Sequence, residues 1–282
     1  MKTNILVVSD THTGSIYGLM PPGFMASDDR EVSVNPGQKH LNKCWSHLCG
    51  EVEKVNIDAV VHNGDVVDGH QQAQHGTELC LPIHGDQAVA ATVLMSQLLT
   101  AAGKPAFYAI QGTEYHDAKG GREAEAVAQA LGAVSFNGPG TGKFSRDALD
   151  LDIDGVIINF CHHIGGTGGG LSRASSADRE GVYSALAGKD GKVPKADCVV
   201  RSHQHYFVHV EHASKHIVIT PCWQLPTRFS RKCSLYKNLP DIGALLITVD
   251  PEAKKRGDDP IAIRKFLYPL PPIGTTKLQR VN

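Results

Sequence analysis

Apolar residues in this chain fall into short continuous runs, and the first half separates those runs with segments of helical spacing. Residues 5–8 (Ile-Leu-Val-Val) are apolar throughout and end in Ser9-Asp10, as expected of a strand buried on both faces. Residues 13–37 carry Gly14, Gly18, Pro21, Pro22, Gly23, Pro36 and Gly37 and predict a long loop, a feature that is uncommon in compact domains and often functional. Leu41, Trp45, Leu48 and Val52 recur at intervals of three and four and predict a helix over 38–55. A second strand over 58–62, a helix over 87–102 closed by Gly103, a third strand over 106–110 and a short helix over 123–131 stopped by Gly132 complete this half.

From Gly142 onward the pattern becomes strand-rich. Apolar runs occur at 148–153, 156–160, 198–201, 206–210, 216–220, 244–249 and 261–267, and 178–187 is the clearest helical stretch among them. No linker, internal repeat or low-complexity segment divides the chain. The expectation is one domain over 1–282, with two sheets packed together and helices outside.

Composition narrows the class. Hydrophobic content of 41% and charged content of 20% suit a globular protein with a core, and a net charge of −1 gives no global pull toward nucleic acid or membrane. Seven cysteines without a CxxC pair suggest free thiols in a reducing compartment. The start of the chain reads as a strand rather than a leader, and no apolar run approaches the roughly 18 residues that span a bilayer. A cytoplasmic location follows as the expectation.

Candidate chemistry sits in clusters at or just past strand ends. Asp10 and His12 alternate around Thr11, and His203 and His205 alternate around Gln204; in extended chain, residues i and i+2 face one side and could share an ion. Gly64-Asp65 follows the second strand, where the glycine permits a tight turn and Asp65 has two oxygens to offer adjacent metals. Asp68 is better placed to orient a ligand than to be one. His162 and His163 are neighbours, so at most one of them faces a shared site. After the third strand comes Gly112-Thr113-Glu114-Tyr115-His116-Asp117, in which His116 could assist a leaving oxygen and Asp117 could fix its tautomer. Each cluster also reads as an ordinary polar turn, but their joint occurrence at strand ends points to paired metals, a standard device for hydrolysing phosphate esters at a separation of about 3.5–4 Å. The glycine stretch 165–170 lacks the Lys-Ser/Thr ending of a phosphate-cradling P-loop, and Arg173 beyond it reads as a solvent-facing cation or a phosphate contact.

In order, these blocks resemble the calcineurin-like metallophosphoesterases, whose pattern is D-x-H, G-D-x-x-D, G-N-H-D/E, H and G-H-x-H. The match runs from residue 10 to residue 205, and the stretch 9–22 is similar to phage and prophage variants. The resemblance implies a four-layer α/β/β/α sandwich, two mixed sheets flanked by helices. It implies one metal held by Asp10, His12, Asp65 and His205. A second would be held by Asp65, the residue at the family's Asn position, His162 in preference to His163, and His203. His116 and Asp117 match the family's catalytic histidine and its acidic partner. The third block departs from the pattern: it is two residues longer and has no Asn, so Thr113 or Glu114 stands in for the amide, with Thr113 favoured. Ser202 replaces the glycine of the last block. The expected function is hydrolysis of a phosphomonoester or phosphodiester with two divalent ions, Mn²⁺ first, with Fe, Zn or Ni as alternatives. The competing expectations are a nuclease acting on DNA ends, which net charge does not support, and a non-catalytic binding module with a decayed metal site. Substrate identity and oligomeric state are left open.

Overall fold

The computed structural model describes residues 1–136, 142–165, 172–233 and 239–272. The glycine stretch beyond Gly165 lies outside them. Strands β1 (Thr3–Val8), β2 (Ala59–Asn63) and β3 (Ala106–Ile110) run parallel, with helices α1 (Pro36–Val52) and α2 (His84–Ala101) as crossovers. After α3 (Arg122–Ala130) come β4 (Ser145–Arg146), β5 (Ala148–Ile153) and β6 (Val156–Cys161). Then follow α4 (Arg173–Lys189), β7 (Cys198–Arg201), β8 (Val208–His212), β9 (Lys215–Ile219), α5 (Arg228–Lys232), β10 (Ile242–Val249), α6 (Pro251–Arg256) and β11 (Ile261–Tyr268). They form a six-stranded sheet, β11-β10-β1-β2-β3-β4, and a five-stranded sheet, β5-β6-β7-β9-β8, both mixed.

Three cores show the layering. Leu41, Trp45 and Leu48 of α1 and Leu94 and Leu98 of α2 pack on Leu6, Val8 and Val60 of the first sheet. The opposite face of that sheet (Ile5, Val7, Val61) meets Ile158, Phe160, Val200 and Val218 of the second. Ala177 of α4 packs on Val199, Ile217 and Ile219 on the outer side of the second sheet. The order is therefore helix, sheet, sheet, helix, as expected. Burial on both faces explains why β1, β2 and β7 carry uninterrupted apolar runs.

The segment predicted as a long loop has no helix or named strand through residue 35, yet it is packed. Met20, Ala26 and Val32 bury with Leu81 and Ala90 in a small core of their own. Asn35 caps α1 reciprocally with Gln38, which starts that helix at Pro36. Strand β8 begins at Val208, two residues later than the apolar run, because Tyr206 is already used in the packing against α4. Arg173 is half-buried and is not among the described residues that line the cleft: its guanidinium lies 4.4 Å from the Tyr206 ring centroid and donates to Leu239 O at 3.2 Å. No disulfide links the cysteines, which are free. Among the described residues no helix is long and apolar enough to cross a membrane.

Candidate metal centre

The carboxyl ends of the parallel strands β1, β2 and β3 and of β6 and β7 carry the clusters picked out in the sequence, the position where open α/β sheets place ligands. Loop ladders continue past the strands. Asp10 N–H donates to Gly64 O at 2.9 Å, His12 N–H to Asp65 O at 3.2 Å, and Ser202 N–H to His162 O at 2.9 Å. Asn63 joins the sheets by donating to Ser202 Oγ at 2.6 Å and Cys161 O at 3.2 Å.

The local backbone differs from the extended chain assumed for the D-x-H and H-x-H pairs. Asp10, His12, Asp65, His203 and His205 have φ of 51°, 44°, 52°, 70° and 59°, all left-handed. The side chains of each pair converge because the chain kinks at both ends of the triplet, with no help from strand alternation. Gly64 is required where it stands: its φ is 93°, and a Cβ there would fall on the His162 ring.

Two adjoining nests result. In the first, His205 Nε2 lies 3.2 Å from Asp10 Oδ1 and 3.1 Å from His12 Nε2, and His12 Nε2 lies 4.0 Å from Asp65 Oδ2. In the second, Asp65 Oδ2 lies 3.1 Å from His162 Nε2 and 3.9 Å from His203 Nδ1. Asp65 borders both. Asp10 Oδ1, Asp65 Oδ2, His162 Nε2 and His203 Nδ1 are buried and, though close to charged neighbours, make no well-directed hydrogen bond, whereas a protein normally satisfies such atoms.

Tautomers are fixed from behind. Asn63 O, which can only accept, takes the Nδ1–H of His162 at 2.8 Å and leaves Nε2 facing Asp65. Asp68 Oδ1 takes the Nδ1–H of His12 at 3.0 Å, as its sequence position suggested. Burial opposes charge on Asp10 and Asp65, but the surrounding histidines together, His205 foremost for Asp10 and His162 foremost for Asp65, hold both carboxyls below the ordinary range. The converse holds for His162: burial would lower its pKa, but Asp65 and Asp10 push it up to about 10. Protons here occupy a negative site that a metal would claim, since a ligating imidazole must be neutral.

The third block separates the candidates. Thr113 donates its N–H to Asp65 Oδ1 at 2.7 Å and its hydroxyl to the same oxygen at 3.1 Å, whereas Glu114 is exposed and lines a neighbouring cavity. His163 is exposed while His162 is fully buried. His116 borders the cleft, but Asp117 is not its partner. The Nδ1–H of His116 donates to Asp68 O at 2.8 Å. Asp117 accepts from the backbone N–H groups of Val66 and Gly112, tying two site loops together. Burial, then the nearby Asp65 carboxylate, push the Asp117 carboxyl up to about 7. Adjacency in a tight turn did not reveal that His116 and Asp117 point apart.

Other supporting residues were missed. Gln87 accepts from Asp68 and Gly69 N–H at 3.2 and 2.9 Å, and Gln224 donates to Asp68 Oδ1 at 3.1 Å. Both approach from distant segments, and a glutamine carries no local signal. The cleft has a volume of about 420 Å³; Gln71, Gln74, Glu78 and Gln224 line it beside the histidines, and none of its described lining residues is Lys or Arg.

No protein-family model and no curated protein matches the chain. Among solved structures it is similar to an archaeal phosphodiesterase (13% identity, TM-score 0.45, covering 94% of this chain and 100% of that one). Vacuolar Protein Sorting 29 from Cryptosporidium parvum gives 11% identity and a TM-score of 0.41, covering 95% of this chain and 99% of that one. The NAD nucleotidase NadN of Haemophilus influenzae gives 13% and 0.43, covering 94% of this chain and 55% of that one. At such values the likeness carries no argument about activity, and the chemistry rests on the site's own geometry.

Proposed function

We propose that the cleft is the active site of a phosphoesterase that hydrolyses a phosphomonoester or phosphodiester with two divalent ions, Mn²⁺ foremost. The observation that carries this reading is the set of orphaned buried atoms at Asp10, Asp65, His162 and His203, which converge on two nests sharing Asp65. The donor set fits: imidazole nitrogens and carboxylate oxygens suit Mn²⁺, Fe, Zn or Ni. Asp10, His12, Asp65 and His205 would hold one ion, and Asp65, His162 and His203 the other, with Thr113 fixing the far oxygen of Asp65. Bound metals would supply Lewis acidity toward the phosphoryl oxygens and activate water.

The chain's own residues supply the rest. Asp68 and Asn63 O aim the His12 and His162 lone pairs at the ions. His116, anchored through Nδ1 on Asp68 O, is available to deliver a proton from Nε2 to the leaving oxygen. A cleft whose described lining carries Gln71, Gln74, Glu78 and Gln224 but no Lys or Arg favours a small ester over a polyanionic nucleic acid, whose binding draws on several Lys/Arg–phosphate contacts. The intact donor set speaks against a decayed binding module.

The test is a panel of generic phosphate esters with metal-stripped protein and added Mn²⁺. Hydrolysis should appear with the metal and vanish in Asp65→Asn, which removes the shared charge. Normal metal uptake without turnover of any ester would leave a binding module, and near-normal rates in Asp65→Asn at saturating Mn²⁺ would refute the shared role.

A further inference from the structure

A second cluster of metal-binding side chains lies at the opposite edge of the five-stranded sheet. His209 and Glu211 alternate along β8, and the antiparallel register sets Glu211 directly across from His216 of β9. All three therefore project from one face. Val218, two residues beyond His216, shows that this face is the inter-sheet one, because it belongs to the core between the sheets. His216 stands near the start of β9, whereas the phosphoesterase cleft is reached past its end, roughly 13 Å farther along the strand.

The contacts go beyond proximity. His209 Nε2 and His216 Nδ1 are 2.9 Å apart, with ring planes inclined by 20°. His216 Nε2 lies 3.0 and 2.9 Å from the two oxygens of Asp259. A carboxylate only accepts, so the proton of His216 sits on Nε2 and the Nδ1 lone pair faces His209. One donor atom each from His209, Glu211 and His216 lies within 4.8 Å of the others. Two imidazoles and a carboxylate, with a second carboxylate behind one ring, form a zinc donor set that leaves a position for solvent. Zinc–nitrogen bonds of about 2.0–2.1 Å at a tetrahedral angle separate the nitrogens by roughly 3.3 Å, so the rings need to part by only a few tenths of an ångström. His209 sits on an edge strand, which is hydrogen-bonded to a neighbouring strand on one side only.

We propose that His209, Glu211 and His216 bind a zinc-type divalent ion, with Asp259 orienting His216. Asp259 lies just before β11, a strand of the other sheet, so the ion, through the His216–Asp259 bond, clamps the edge of one sheet to the entry of the other. This site is independent of the phosphoesterase reading.

The experiment compares zinc per chain, by elemental mass spectrometry after equilibrium dialysis, in the native chain and in His209→Ala, Glu211→Gln and His209→Ala/His216→Ala. The variants should hold about one ion fewer, with unchanged Mn²⁺ binding in the cleft. Zinc should raise the melting temperature of an Asp65→Asn chain more than that of the same chain carrying His209→Ala, because a ligand that binds only the folded state stabilises it. His209→Gln separates the clamp from a bare hydrogen-bonded His–His–Asp chain, since it can still bond His216; it should lose the ion and keep its zinc-free melting temperature. Should the double variant fail to fold, His209→Ala, altered on an edge strand, decides. Equal zinc content in native and variant chains overturns the proposal.

Discussion

Replacing Asp68 by Asn tests whether the first nest depends on a tautomer set from behind. Asp68 is buried, and its oxygens accept from His12 Nδ1 at 3.0 Å, Gln224 Nε2 at 3.1 Å and Gln71 Nε2. An amide cannot repeat this. If its oxygen stays on His12, its NH₂ faces the NH₂ of Gln71. If it flips, its NH₂ faces His12 and Gln224 and forces the His12 proton onto Nε2, into the nest. Either arrangement leaves a buried donor unsatisfied, at about 1–3 kcal/mol of stability. Losing an oriented outer partner costs metal affinity about 10–100-fold, equivalent to about 1.4–2.8 kcal/mol. The assay is the Mn²⁺ concentration for half-maximal hydrolysis, backed by calorimetric metal titration and a urea unfolding curve. Asp68→Asn should shift the metal dependence by that factor and lower the urea midpoint. Gln224→Ala, which leaves the His12 contact in place, should shift metal dependence far less. A lowered urea midpoint with unchanged Mn²⁺ dependence would refute the tautomer reasoning.

His116→Ala should lower kcat about 10²–10⁴-fold, the range of general acid catalysis, while metal content stays constant and the loss shrinks for p-nitrophenyl esters; an equal loss across leaving groups would assign His116 to phosphate binding. Thr113→Ala should raise the Mn²⁺ requirement by removing one of the two hydrogen bonds that hold Asp65 Oδ1, the backbone N–H bond remaining, and Glu114→Gln should not, since Glu114 faces a different cavity; the reverse order would mean the loop rearranges on metal binding. Glu125 provides a pH test away from the cleft. Burial opposes its charge, but the Ser145 hydroxyl and the N–H groups of Phe144 and Ser145 outweigh it and lower its pKa from 4.5. A depressed carboxylate stabilises the fold above its unfolded pKa and loses that contribution as pH falls through the folded value. The stability gap between native and Glu125→Gln chains should therefore be full above pH 4.5 and close below it; a gap independent of pH in chemical denaturation would contradict the assignment.

What could be read from sequence followed from range. Strands β1, β2, β7 and β10 are buried on both faces, so burial is written into consecutive residues. The candidates at Asp10, His12, Asp65, His203 and His205 were legible because each lies just past such a strand. Helices α5 and α6 are too short for periodicity to register. Helix α2 starts at His84, three residues before its predicted start; Ile83 supplies no side-chain cap there, so that start carries no local signal in the sequence. Asp117 was misread because which neighbour a turn side chain faces depends on loops that meet only in the folded chain. Gln87 and Gln224 were invisible for the same reason, since their partner Asp68 lies elsewhere in the sequence.

The left-handed backbone at Asp10, His12, Asp65, His203 and His205 has a consequence for engineering. Side chains with a Cβ reach that region at about 1–2 kcal/mol each, somewhat less for Asp, and glycine reaches it freely. The candidate ligand positions are therefore among those where glycine would relax the backbone. A library screened for heat resistance alone, in chelator, should drift toward glycine at these places and emerge sturdier and inert. Thermostabilisation campaigns on this scaffold should hold these positions fixed or run with metal present, so that selection does not erase the cleft.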